Sequence, residues 1–132
     1  MLHELTDVVM QGKRVGRRLG TPTANLPYPA GGDAPPDGIY VARVILPHQG
    51  GRVVNGVLSQ GKHPTLPEGV PTVEVHLFDF DESLYGQKVI VQYLKYLRPE
   101  KTFASVELMR AQIARDISAA RAYFAATSSY PE

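Results

Sequence analysis

The segment Thr72-Val73-Glu74-Val75-His76-Leu77-Phe78-Asp79-Phe80 decides the reading of the fold. Its residues alternate. Val73, Val75 and Leu77 share one face of an extended chain, and Glu74, His76 and Phe78 share the other. Upstream, residues 52–58 form a short β-branched run, and residues 37–46 (Asp-Gly-Ile-Tyr-Val-Ala-Arg-Val-Ile-Leu) form a stronger one, closed by Pro47. Downstream, residues 87–97 are a fourth strong run, and residues 3–11 are a fifth, weaker one. Turn signals separate these runs at Pro35-Pro36-Asp37-Gly38, Gln49-Gly50-Gly51, Pro67-Glu68-Gly69 and Tyr85-Gly86. No helical pattern lies between strands, so the crossovers of a parallel sheet are missing. A small antiparallel barrel or sandwich is expected.

The last third of the chain has a different period. Val106, Met109, Ile113, Ile117, Ala120 and Phe124 recur every three or four residues and predict one long helix with a core-facing stripe. Arg110, Arg115 and Asp116 fall off that stripe. Ser105 stands at the N-cap position, and Glu107 in the first turn suits the helix dipole. Of the 23 glycines and prolines, 20 precede residue 72 and none lies between 100 and 130, so a turn-rich half is followed by a continuous one. The reading is one domain over residues 1–126 and a frayed tail over 127–132. The Pro/Gly-rich stretch 27–38 is a long loop inside the domain.

Composition narrows the function classes. With 132 residues the chain can bury a core without a covalent staple. It has no cysteine, which removes disulfides, thiolate nucleophiles and cysteine-bound zinc. A net charge of +1 and the lack of tryptophan argue against nucleic acid as the main partner. No apolar run approaches the ~18 residues of a membrane span, and no signal peptide is evident, so a cytoplasmic monomer is expected.

Three segments could carry chemistry. In residues 12–25 (Gly-Lys-Arg-Val-Gly-Arg-Arg-Leu-Gly-Thr-Pro-Thr-Ala-Asn), three glycines and four cations precede Thr23 and Asn25. Glycines let backbone N–H groups approach phosphate oxygens. Thr23 and Asn25, two apart in an extended chain, offer hard oxygens on one face, and such donors suit Mg²⁺. The spacing is not that of a Walker loop. A basic turn leading into a strand fits the same residues. Glu74 reads either as a proton acceptor for a hydroxyl or as a solvent-facing residue of a one-sided sheet. His76 shares its face and reads as a packing or surface residue. His3, His48 and His63 lack metal-ligand spacing. The segment Tyr96-Leu97-Arg98-Pro99-Glu100-Lys101-Thr102-Phe103 joins strand to helix, either as a flap over a planar ligand or as a plain charged connection.

Taken in order, these segments resemble the riboflavin kinase family. The resemblance rests on Gly16-Arg17-Arg18-Leu19-Gly20-Thr21-Pro22-Thr23-Ala24-Asn25-Leu26, on Gly38-Ile39-Tyr40 and on Gly61-Lys62-His63-Pro64-Thr65. It continues through Val73-Glu74-Val75-His76 with Phe80 and Tyr85-Gly86, through Leu97-Arg98 with Glu100 and Phe103, and through Gln112-Ile113 with Asp116. It runs from about residue 5 to residue 124. Thr21, Ser59 and His63 stand where the family commonly has Phe, Asn and Arg.

The resemblance implies a six-stranded antiparallel Greek-key barrel with a long C-terminal helix. It implies transfer of the γ-phosphate of ATP to the 5′-hydroxyl of riboflavin, giving FMN and ADP with Mg²⁺. Glu74 would be the catalytic base. Gly16, Arg17, Leu19, Gly20, Thr21, Pro22 and Thr23 would wrap the nucleotide, and Thr23 and Asn25 would hold the metal and phosphates. Asn25, Arg98, Glu100 and Phe103 would line the flavin side. Only the kinase module is matched, without the adenylyltransferase module common in bacterial members, so FAD synthesis is not expected. The alternative is a non-catalytic flavin- or nucleotide-binding barrel. Glu74 need not have a raised pKa, because proton removal can be late in a loose transition state.

Overall fold

The computed structural model describes residues 1–11, 23–29, 31–32, 34–62 and 71–128. Within them the chain forms six strands and one long helix. The strands are β1 (His3–Val8), β2 (Thr23–Pro27), β3 (Gly38–Leu46), β4 (Arg52–Gly61), β5 (Thr72–Leu77) and β6 (Lys88–Arg98), and the helix is α1 (Val106–Ser128). They pair in the order β1-β6-β3-β4-β5-β2, every neighbour antiparallel. Strands β3, β4 and β5 run as a meander and β2 returns beside β5, which is a Greek key. The sheet curls until its two edges meet, where the Met10 N–H donates to the Asn25 carbonyl at 2.7 Å. The barrel is closed there by a bridge rather than by a full ladder.

Local sequence explains the connections. The β3–β4 hairpin turns through a 3₁₀ turn at Pro47–Gln49 and then Gly50 and Gly51, both at positive φ (69° and 86°). An L side chain resists that conformation, so the glycine pair sets the turn. The 72–80 run is a strand only as far as Leu77. Asp79 takes φ 54°, a conformation an aspartate tolerates, and the chain leaves the sheet. The weakest run, 3–11, is strand over His3–Val8. Thr23–Pro27, which periodicity did not single out, is the sixth strand, with Pro27 at its end where a donor is least needed.

The two sheet faces are buried against different things. Inside the barrel lie Leu26, Val44, Leu58, Val73, Val75, Val89 and Val91, with Phe80 and Leu84 also in this cluster. The Tyr40 and Tyr93 rings meet edge-on at 5.1 Å. Gln60 is fully buried among them, accepting from Tyr93 Oη at 2.7 Å and donating to the Pro35 carbonyl at 2.8 Å. The outer face carries Ile39, Val41, Val57 and Phe78, covered by Ala120, Ile117, Tyr123 and Phe124 of α1. The β3–β6 register shifts twice, which leaves Leu94 and Leu97 unmatched, and both side chains join this outer cluster.

The helix begins as expected: Ser105 Oγ accepts the Leu108 N–H at 3.1 Å. Its stripe is corrected at two points. Val106 is exposed, because the sheet contact begins further along the helix, and Asp116 is buried. The helix also continues through the first two residues of the expected tail, and 129–132 lie outside the described residues.

Candidate functional site

The outer face holds a row of residues that crosses the sheet. Strand register places Asn25 of β2 opposite Glu74 of β5, Glu74 opposite Ser59 of β4, Ser59 opposite Ile39 of β3, and Ile39 opposite Arg98 of β6. The next row pairs Thr23 with His76 and His76 with Val57. Ala24 and Leu26 point into the barrel, so Thr23 and Asn25 project outward with Glu74 and His76. The structure therefore brings Thr23, Asn25 and Glu74 onto one patch.

That patch is not the wet side of a one-sided sheet. Glu74 is only 8 % exposed, and burial pushes its carboxyl up to about 7. His76 is also buried, its Nε2 lying 3.8 Å from Glu74 Oε1. The half-buried Thr23 and Asn25 bring a hydroxyl and an amide oxygen beside this carboxylate. These hard donors fit a divalent cation that takes most of its remaining ligands from water and phosphate.

The other end of the row is a clip. Arg98 Nε and Nη2 donate to the two Asp116 oxygens at 3.0 and 2.7 Å, and Nη1 donates to the Pro99 carbonyl at 3.0 Å. Gln112 Nε2 donates to the same carboxylate at 3.0 Å. All three Arg98 nitrogens thus have partners within the fold. Glu100 is half-buried and packs against Gly61, where an added β-carbon would lie 2.3 Å from its carboxylate. Phe103 is half-buried, with Lys101 Nζ 5.4 Å from its ring centroid. Gly16, Arg17, Leu19, Gly20, Thr21, Pro22 and His63 lie outside the described residues.

Ser59, Gln112 and Asp116 are the site-end residues that the pattern of the sequence did not rank. The family resemblance touched all three, Ser59 as a departure and Gln112 and Asp116 as matching helix positions, but gave none of them a role. A separate cleft of about 320 Å³ lies between the start of β4 and the C-terminal half of α1, lined by Arg52, Asn55, Phe78, Asp79, Arg121 and Phe124. None of Thr23, Asn25, Glu74, Arg98, Glu100 or Phe103 lines it.

Fold and site together define a small β-barrel protein with a buried carboxylate set among neutral oxygen donors. The chain belongs to the riboflavin kinase family: the model of that family, Flavokinase (riboflavin kinase), matches residues 2–124. It is 38% identical over 116 residues to a bifunctional riboflavin kinase/FMN adenylyltransferase of Haemophilus influenzae, covering 88% of this chain and 37% of that protein. The protein of the same description from Bacillus subtilis is 34% identical over 120 residues, covering 89% and 37%. An RNA-binding riboflavin kinase RibR of Bacillus subtilis is 36% identical, covering 86% and 48%. A crystal structure described as a macrolide-efflux protein from Streptococcus pneumoniae aligns with TM-score 0.75 and 31% identity, covering 89% of this chain and 38% of that one. The chain thus spans just over a third of the bifunctional relatives. No helix among the described residues is long and apolar enough to cross a membrane.

Proposed function

We propose that this chain is a riboflavin kinase module. It transfers the γ-phosphoryl group of ATP to the 5′-hydroxyl of riboflavin and releases FMN and ADP. The observation that carries the reading is Glu74: a buried carboxylate with its pKa near 7, on the same outward patch as Thr23 and Asn25.

Phosphoryl transfer asks little covalent help of a protein and much positioning. The riboflavin 5′-oxygen forms a bond to the γ-phosphorus as the bond from that phosphorus to the ADP oxygen breaks, and the hydroxyl proton passes to the Glu74 carboxylate. A base with a pKa near the working pH is both deprotonated enough to accept and basic enough to be useful. Thr23 and Asn25 would hold Mg²⁺, which when bound neutralises phosphate charge. Gly16 to Pro22 would wrap the nucleotide, as their likeness to the family's signature implies. Asn25, Glu100 and Phe103 would face the flavin, with Arg98 at the end of the row. The balanced charge favours small substrates over a nucleic-acid backbone. Use of ATP supports a cytoplasmic setting, and the protein would act as a monomer.

Incubation with riboflavin, ATP and Mg²⁺ tests this directly. Chromatography should show FMN and ADP appearing in equal amounts. Bound flavin without FMN would instead favour a binding module.

A further inference from the structure

The flavin end of the row is built around a partly buried ion pair whose acid lies outside every role assigned so far. Asp116 belongs to α1, and its carboxylate accepts from Arg98 Nε, Arg98 Nη2 and Gln112 Nε2. The side chains are 18% and 7% exposed for Arg98 and Asp116, so water screens the pair poorly. Two parallel N–H···O bonds fix a guanidinium in orientation as well as in place. Arg98 is the last residue of β6, and its remaining nitrogen donates to the Pro99 carbonyl, the first of the connection to α1. That connection is held a second time where Glu100 lies against Gly61 of β4, two residues from Ser59 and its partner Glu74. It is held a third time where Ser105 caps α1.

We propose that Asp116 is a positioning residue for the flavin substrate, acting through Arg98 to set the Pro99–Phe103 segment against the end of the Asn25–Glu74–Ser59 row. Arg98 then serves the site by its place in this clip, and Gln112 supports the clip from one turn earlier on the helix. The proposal rests on the riboflavin kinase reading above. It gives Asp116 no contact with ATP, because Thr23 and Asn25 lie at the opposite end of the row, with three strands between β2 and β6.

Asp116→Asn is the variant of choice. It keeps the volume but turns one carboxylate oxygen into an N–H₂ that confronts a guanidinium N–H. Riboflavin binding, read by quenching of flavin fluorescence, should weaken about tenfold, because small misplacements of a supporting shell are costly. The riboflavin KM should rise to match, while the ATP KM and kcat stay within about twofold. Gln112→Met, on a half-buried residue, should shift riboflavin affinity the same way by less, and it decides the matter if Asp116→Asn does not fold. Unchanged riboflavin affinity in a folded Asp116→Asn, or in Gln112→Met if the first is unfolded, would overturn the proposal. So would equal shifts in both KM values, which indicate a merely structural role. A wild-type chain that binds riboflavin without making FMN would refute the kinase reading alone, since the binding titration still reads the clip. A wild-type chain that does not bind riboflavin would refute both.

Discussion

Burial raises the Glu74 pKa from 4.5 to about 7, so between those two values the folded chain keeps a proton that the unfolded chain has released. Above pH 7 the folded state holds a buried charge, and the difference corresponds to about 3 kcal/mol of lost stability. Below pH 4.5 both states are protonated and the penalty vanishes. Glu74→Gln should therefore be more stable than wild type by about that amount at pH 8 and match it near pH 4, measured by urea unfolding in EDTA. The same variant should lose about 10²–10⁴-fold in turnover, the usual worth of a positioned base. Gain in stability with loss of activity is what a desolvated base predicts; a solvent-facing glutamate would show neither. Asn25→Ala should raise the Mg²⁺ concentration needed for half-maximal activity, checked by metal titration at saturating ATP, because it removes one of two neutral oxygen donors. The sequence named Glu74, Thr23 and Asn25. What it could not supply was the burial of Glu74, which depends on what lies across the register and over the outer face.

At the scale of elements, the strands were legible wherever apolar residues alternate, and their limits were not. The run through Phe80 hides the exit at Asp79, because Phe78 and Phe80 go on to pack in the outer and inner clusters after the strand has ended. In β6 the two register shifts send Leu94 and Leu97 to the helix side, a phase change that alternation cannot show in advance. The helix stripe predicted its contact surface only from the middle onward. Asp116 counts as polar in any periodic reading, yet it is buried because Arg98 meets it from a strand that the helix packs near. Ala120 lies within that packing. It is fully buried against Ile39, Val41, Val57 and Phe78. A larger side chain there must push α1 away from the sheet, since interiors have no room to spare. Ala120→Leu should cost about 1–3 kcal/mol in denaturant unfolding, whereas the same change at exposed Ala126 should be near neutral.

The whole molecule is held by contacts between segments far apart in the chain, and these were the least legible. The Met10–Asn25 bridge closes the sheet between residues that belong to no common sequence pattern. The Gln60 network does the same inside the barrel: one amide from β4 accepts from Tyr93 of β6 and donates to Pro35, with a longer contact to Asp37 at 3.2 Å. Both acceptors lie in the loop that follows β2, so the network ties the strand carrying Thr23 and Asn25 to the barrel interior. Burial also raises the Tyr93 phenol's pKa, which favours its protonated, donating form. Gln60→Leu fills a similar volume but strands the Tyr93 hydroxyl and the Pro35 carbonyl, and should cost about 3 kcal/mol. Tyr93→Phe strands only Gln60 Oε1 and should cost about 1–2 kcal/mol. The double variant is the decisive measurement. If the hydroxyl and amide are true partners, removing both leaves neither stranded against the other. The combined loss should then fall short of the sum by at least about 0.5 kcal/mol. Strict additivity in urea unfolding would mean that the two groups stabilise the barrel independently and that the Tyr93–Gln60 bond does not extend the tie between Gln60 and the loop.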